Sequence, residues 1–225
     1  MHYLETNPQA QNPEELRNSE ELRGTPNATF LFAHGAGGAM DTPFMNDVAE
    51  GLARNGIRVV RFEFPYMARR REAGVKGGAP DRQPILLDAW RRAIEDHGGG
   101  ARVAIGGKSL GGRIASMVAD EAEVRGVVCF GYPFHPPGKP QQLRTAHLEQ
   151  LRTPTLIIQG TRDPFGTQEE VATYALSRDI SFGWLPDGDH SFKPRRASGL
   201  TEQDHRTTAV SLAAAFILRR SCRED

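Results

Sequence analysis

Short apolar runs alternate along this chain with longer stretches whose apolar side chains recur every three or four positions. Thr29-Phe-Leu-Phe-Ala33, Ile57 to Phe62, Val103–Ile105, Gly126 to Phe130, Thr155-Leu-Ile-Ile-Gln159 and Ile180 to Leu185 read as buried strands. Met45, Val48, Ala49 and Leu52 share one helical face, with Thr42 as a possible cap, Pro43 at the first helical position and Asn55-Gly56 as the stop. Further helices are predicted from about Pro84 to Asp96, over Leu110, Ile114, Met117 and Val118, and from Gln168 to Leu176. Thr201-Glu-Gln-Asp204 opens a last helix as a capping-box variant, lined by Val210, Ala213, Ala214 and Ile217. Glu63 to Gln83 reads as a long basic connection, and Gln141 to Leu151 as a short helix carrying Leu143, Leu148 and Leu151.

Strands that alternate with helices call for a mostly parallel sheet of about six strands with helices on both faces. Residues 1–28 are polar and broken by Pro8, Pro13 and Pro26, so they read as an N-terminal arm or weak edge element. Residues 29–220 then form one domain, and 221–225 a tail.

Composition narrows the class. A chain of 225 residues buries enough surface to need no disulfide or metal staple. Lys+Arg and Asp+Glu balance at 28 each, which argues against a dedicated nucleic-acid or membrane-surface protein. Cys129 and Cys222 form no framework, and the N-terminus lacks a signal-peptide layout. No apolar stretch reaches bilayer length. The expectation is a cytoplasmic protein without membrane or nucleic-acid partners; oligomeric state is not legible.

Candidate chemistry centres on Gly107-Lys108-Ser109-Leu110-Gly111, a G-x-S-x-G placed between a strand and a helix. The pattern forces a tight strand-to-helix turn that lifts the serine hydroxyl clear of the sheet. Two further loops after strands hold suitable partners: Gly160-Thr-Arg-Asp163-Pro-Phe-Gly166 and Asp187-Gly-Asp-His190-Ser-Phe192. Ser109, Asp163 and His190 thus follow the chain order of α/β-hydrolases, which differs from the chymotrypsin and subtilisin orders. A serine hydroxyl needs an imidazole to take its proton, and a carboxylate to hold that imidazole in the right tautomer. Singly, Asp163 before Pro164 is a turn residue, and Asp187 and Asp189 read as shapers of the histidine loop. His34 reads as a brace for His34-Gly-Ala-Gly-Gly38, and His135 and His147 either line a pocket or are solvated. Gly107-Lys-Ser109 imitates a P-loop end, but that motif's first glycine falls at Arg102. No H-E-x-x-H and no paired C-x-x-C is present, so neither a metal nor a cofactor is called for.

Five blocks together resemble a known family: His34-Gly-Ala-Gly, Arg61-Phe-Glu-Phe-Pro-Tyr66, Gly106-Gly-Lys-Ser-Leu-Gly-Gly-Arg113, Gly131-Tyr-Pro-Phe-His-Pro-Pro-Gly138 and Gln159-Gly-Thr-Arg-Asp-Pro-Phe-Gly166. They are similar to small bacterial α/β-hydrolases related to the KANL/Tex hydrolase-like domain and, more distantly, to dienelactone hydrolases. Dienelactone hydrolases use a cysteine nucleophile where this chain has Ser109, so their substrate does not carry over. The resemblance implies an α/β-hydrolase fold without a large cap domain, any cap being confined to residues 131–153. The residues then predict a serine hydrolase for a small-molecule acyl substrate, through Ser109, His190 and Asp163. Backbone N–H groups of Leu110 and Ala36 (Gly35 or Gly37 as alternatives) would form the oxyanion hole. Tyr66, Phe134 and His135 would lie at a shallow substrate site. The competing expectation is a non-catalytic binding protein on the same fold. Arg69, Arg70, Arg71, Lys76 and Arg82 either draw an anionic substrate to the rim or form a solvated loop.

Overall fold

In the computed structural model, which describes residues 1–8 and 28–221, a seven-stranded sheet runs in the order β1-β3-β2-β4-β5-β6-β7. The strands are β1 (Tyr3–Thr6), β2 (Ala28–Ala33), β3 (Ile57–Phe62), β4 (Val103–Lys108), β5 (Val127–Phe130), β6 (Thr155–Gly160) and β7 (Ile180–Leu185). β2 to β7 pair in parallel, and β1 adds an antiparallel edge with Tyr3 opposite Phe62. The sequence reading counted about six strands; the seventh lies in the stretch read as an arm or weak edge. Pro13, Pro26 and Cys222 lie outside the described residues.

Period-two alternation in the strands assigns side chains to two cores. Leu31, Val60, Phe62, Ile105, Cys129 and Ile157 face one side, where α3 (Gln83–Asp96) and α4 (Leu110–Val118) cover them with Trp90, Ile94, Ile114 and Val118. Phe30, Phe32, Val59, Val128, Phe130 and Ile158 face the other, under α1 (Pro43–Arg54) and α6 (Glu202–Ser221). Both faces of the central strands are apolar, as a parallel sheet requires. Pro43 and Thr42 start α1 as expected, though no side-chain cap bond forms there. At α6 the expected reciprocal cap is present: Asp204 N–H donates to Thr201 Oγ1, and Thr201 N–H to Asp204 Oδ2.

Three predicted elements need correction. The basic connection contains a helix, α2 (Pro65–Ala73), started by Pro65 and ended by Gly74 at φ +64°. Its charged surface hid it, because only Tyr66 and Met67 are buried. No α-helix spans 141–151; a 3₁₀ turn at Ala146–Leu148 is all the regular structure there. Arg144 spends its backbone groups elsewhere, its N–H on the Phe134 carbonyl and its carbonyl on the Tyr132 hydroxyl. The helix expected to reach Leu176 is only α5 (Gln168–Val171), after which Thr173 and Tyr174 N–H groups bond three residues back in tight turns. No large cap is built from the described residues.

Candidate active site

A tight turn joins β4 to α4. Ser109 sits there at φ +50°, ψ −112°, a conformation L-residues rarely adopt. Room for it comes from the flanking glycines. A Cβ at Gly107 would stand 2.5 Å from the Ala33 carbonyl oxygen, and one at Gly111 2.4 Å from the same atom. The turn is anchored by Ser109 N–H on the Phe130 carbonyl at 3.0 Å.

Two loops at the carboxyl ends of neighbouring strands bring side chains to that serine. Asp163, fully buried after β6, faces donors on both oxygens. Its Oδ1 accepts from Phe165 N–H at 2.9 Å, and its Oδ2 from Gln159 Nε2 at 3.0 Å and His190 Nδ1 at 2.7 Å. With Nδ1 donating to the carboxylate, His190 Nε2 is left as an acceptor, 3.0 Å from Ser109 Oγ. Burial lowers the His190 pKa from its ordinary 6.5, the hydrogen bond to Asp163 opposes that, and the nearby Lys108 ammonium adds to it. Asp187 and Asp189 do shape the loop. Asp189 Oδ1 accepts from the N–H groups of Ser191 and Lys193, and Asp187 pairs with Arg162 and Arg195.

The loop after β2 is held from behind. His34 is buried and pushed toward its neutral form, with Nδ1 donating to the Gly35 carbonyl (2.7 Å) and Nε2 accepting from Phe64 N–H (3.1 Å). Tyr66 donates to the carbonyls of Gly35 and Ala36 at 3.3 and 3.2 Å, and Arg70 reaches the Ala36 carbonyl at 3.5 Å. Across a trans peptide the N–H points opposite to the C=O. The Ala36 and Gly37 N–H groups therefore turn away from Tyr66. Leu110 opens α4, where N–H groups lack helical partners and the helix dipole is positive.

A cleft of about 510 Å³ opens over Ser109 and His190. Its walls are Phe44 from α1, Phe165, the 35–38 loop, the Lys108 side chain, and Glu202 with Arg206 from α6. Phe165 lies against the His190 ring, centroids 4.2 Å apart. The expected substrate residues are elsewhere. Phe134 is fully buried between Tyr132, Tyr174 and Phe182, and His135 is buried with Nδ1 on the Pro136 carbonyl and Nε2 3.5 Å from Glu170. Tyr66 is 3% exposed and supports the 35–36 loop rather than the cleft. His147 pairs with Ser116 inside the fold.

Sequence reading also missed Gln159, Lys108, Phe44 and Phe165. The signal for Gln159 is its place near the end of a strand, four residues before Asp163. Of the basic stretch, Arg69 pairs with Asp81, Arg71 with Glu63 and Asp41, and Arg70 lies on the Tyr66 ring. Arg69 and Arg71 are thus ion-paired within the fold, whereas Arg70, held by a ring face and backbone carbonyls, keeps its charge. Among the described residues no cluster of His, Cys, Asp or Glu suits a metal, and no helix is long and apolar enough to cross a membrane.

A sequence model described as an alpha/beta hydrolase domain matches residues 26–218. Solved structures are similar at fold level. An alpha-beta serine hydrolase homologue from Coxiella burnetii is 22% identical at a TM-score of 0.64, covering 93% of this chain and 90% of its own. A serine hydrolase without lid from Xanthomonas campestris is 19% identical at 0.68, with coverages of 96% and 88%. A dienelactone hydrolase from Anabaena variabilis is 22% identical at 0.64, with coverages of 87% and 88%.

Proposed function

The chain belongs to the alpha/beta hydrolase domain family, and from that premise we propose that it is a serine hydrolase cleaving a small ester, thioester or related acyl bond. The observation that carries this reading is the continuous line Asp163–His190–Ser109, at 2.7 and 3.0 Å, ending on a strained serine at the floor of a cleft.

In this reading His190 Nε2 takes the Ser109 proton as Oγ forms a bond to the acyl carbon. The carbonyl π pair moves to oxygen, giving a tetrahedral oxyanion. Asp163 keeps the imidazole oriented and stabilises the imidazolium that forms. Leu110 and Ala36 N–H groups, with Gly37 beside them, receive the oxyanion, each worth about 3 kcal/mol in the transition state. The imidazolium then gives its proton to the leaving oxygen, nitrogen or sulfur as the carbonyl re-forms. Water, deprotonated by the same His190, reverses the sequence and frees the acid and Ser109. The steps close without a cofactor.

A fluorophosphonate probe tests the reading: it should label the folded protein at Ser109 and fail on Ser109→Ala. Absence of labelling on the wild-type chain would overturn it in favour of a non-catalytic binding protein.

A further inference from the structure

Lys108 ends β4 and stands directly before the serine, in the variable position of the turn motif. Its Nζ donates to the backbone carbonyl of His190 at 2.5 Å, so one side chain spans from the serine strand to the histidine loop. The ammonium also lies 5.6 Å from the Phe44 ring centroid and 5.3 Å from that of Phe192. Its partners are thus a carbonyl dipole and two ring faces, which satisfy the group without cancelling its charge as a contact carboxylate would. Gly131 keeps the niche open: a Cβ there, at φ +71°, would sit 2.7 Å from Lys108 Nζ and 3.3 Å from His190 Cε1. The ammonium and the imidazole therefore share one small space at the end of β5. Desolvation lowers the lysine pKa to about 8, against the pull of Asp163 and Asp189. The group remains largely cationic at neutral pH.

An apolar side chain of similar length would fill this niche without the desolvation penalty of a buried charge. What the lysine adds is a tether and a charge. We infer that Lys108 is a positioning residue for the base: it clamps the His190 carbonyl to the serine strand and sets a fixed positive charge beside the imidazole that opposes premature protonation. Its role in turnover, with the kcat test of the clamp, rests on the serine-hydrolase reading; the charge beside the imidazole does not. The other charged groups around His190 are Asp163 from the β6–α5 loop, Asp189 on its own loop, and Glu202 and Arg206 at the α6 side of the cleft. Asp163 and Asp189 favour the imidazolium and Lys108 disfavours it. Removal of the lysine charge therefore shifts the balance toward protonation.

The test is an NMR titration of histidine-labelled full chain, with His190 assigned by His190→Gln, in wild type, Lys108→Met and Lys108→Gln. Both substitutions should raise the His190 midpoint by about half a unit or more, and move the acid limb of kcat/KM up equally. Lys108→Met should also lower kcat about tenfold, and Lys108→Gln less, because its amide can still donate to the carbonyl. Lys108→Arg should hold the midpoint near wild type, and it carries the test with Lys108→Gln if the Met variant does not fold. A midpoint unmoved in both neutral variants overturns the charge role, and an unchanged kcat in Lys108→Met overturns the clamp. The titration needs no turnover. An inert wild type would therefore sink the serine-hydrolase reading while the midpoints still judge Lys108.

Discussion

The Tyr66 hydroxyl donates to the carbonyl oxygen of Ala36 at 3.2 Å, from a side chain almost wholly inside the protein. Burial raises its phenol pKa well above the ordinary range, so the group stays a donor at any working pH. With the hydroxyl's second contact, to the Gly35 carbonyl at 3.3 Å, the bond fixes the peptide planes on either side of Ala36, and with them the N–H groups proposed to meet the oxyanion. Tyr66→Phe should therefore lower kcat roughly tenfold and leave KM nearly unchanged, since the lost interaction matters most in the transition state. Steady-state kinetics on a neutral ester decide it. A raised KM at constant kcat would instead mean that Tyr66 touches substrate.

Ser109, His190 and Asp163 form one chain of hydrogen bonds, so their removal should be far from additive. Ser109→Ala and His190→Ala are each expected to lower kcat by about a millionfold, and the double variant scarcely more. Asp163→Asn should cost about ten-thousandfold, through loss of the correct tautomer. It would also turn an amide toward Gln159 Nε2 and Phe165 N–H, both donors. Most activity surviving in Ser109→Ala would end this assignment.

The pH profile follows from the sign of one shift. Protonated His190 cannot accept the Ser109 proton, so activity falls as pH drops through its pKa. Sequence alone suggests a limb at about 6 to 7. Burial first, and Lys108 after it, lower the value from 6.5 and outweigh Asp163. The acid limb in kcat/KM of a neutral ester should therefore have its midpoint below 6.5. A midpoint above 7 would contradict this electrostatic account.

Gly111→Ala tests how tightly the serine turn is built. The new Cβ would press on the Ala33 carbonyl at 2.4 Å and on the His34 carbonyl at 2.7 Å, both backbone atoms of the adjoining strand end. Neither can swing aside as a side chain would. The expected loss is roughly 3 kcal/mol or more, read as a lower urea midpoint with unchanged slope. A Gly37→Ala control, with nothing within 4 Å of the added Cβ, should leave the midpoint close to wild type. Equal midpoints for the two variants would refute the packing argument.

The six parallel strands, helices α1, α3, α4 and α6, and the Ser, Asp, His order were legible because each depends on local pattern: alternation for strands, apolar periodicity for helices, glycine spacing for the turn, loops at strand ends for the partners. The walls of the cleft depend on tertiary placement. Phe134 and Phe165 both follow a proline just past a strand, and nothing local separates them. The fold buries Phe134 against Tyr132 and stacks Phe165 on His190. Phe44 reads as one more apolar residue of α1, and only the approach of that helix to the β7–α6 loop puts it at the cleft beside Phe192. The predicted helix over 141–151 failed because backbone groups in a loop can pair with distant partners, as at Arg144, which periodicity does not register.

Acyl-chain preference follows from what the cleft has beyond the serine. Its apolar wall is short, with Phe44 and Phe165 as the large aromatic side chains, and a volume of about 510 Å³ must hold acyl group and leaving group together. At the α6 side it meets polar groups: Arg206 pairs with Glu202 and Asp47 and lies over the Phe44 ring at 5.9 Å. The stretch 131–153, where a cap would add length to a tunnel, turns its large hydrophobes inward except Leu143. Leu148 and Leu151 are buried in the body, and Leu143 is 47% exposed. An added methylene contributes its ~0.8 kcal/mol only if it leaves water. Past the two phenylalanines it would meet the ion-paired rim instead. p-Nitrophenyl esters from acetate to palmitate should therefore give the highest kcat/KM at short acyl groups and a flat or falling series thereafter. A clear optimum at twelve carbons or more would require a buried channel beyond Phe44 and Phe165, and so a different arrangement of residues 131–153.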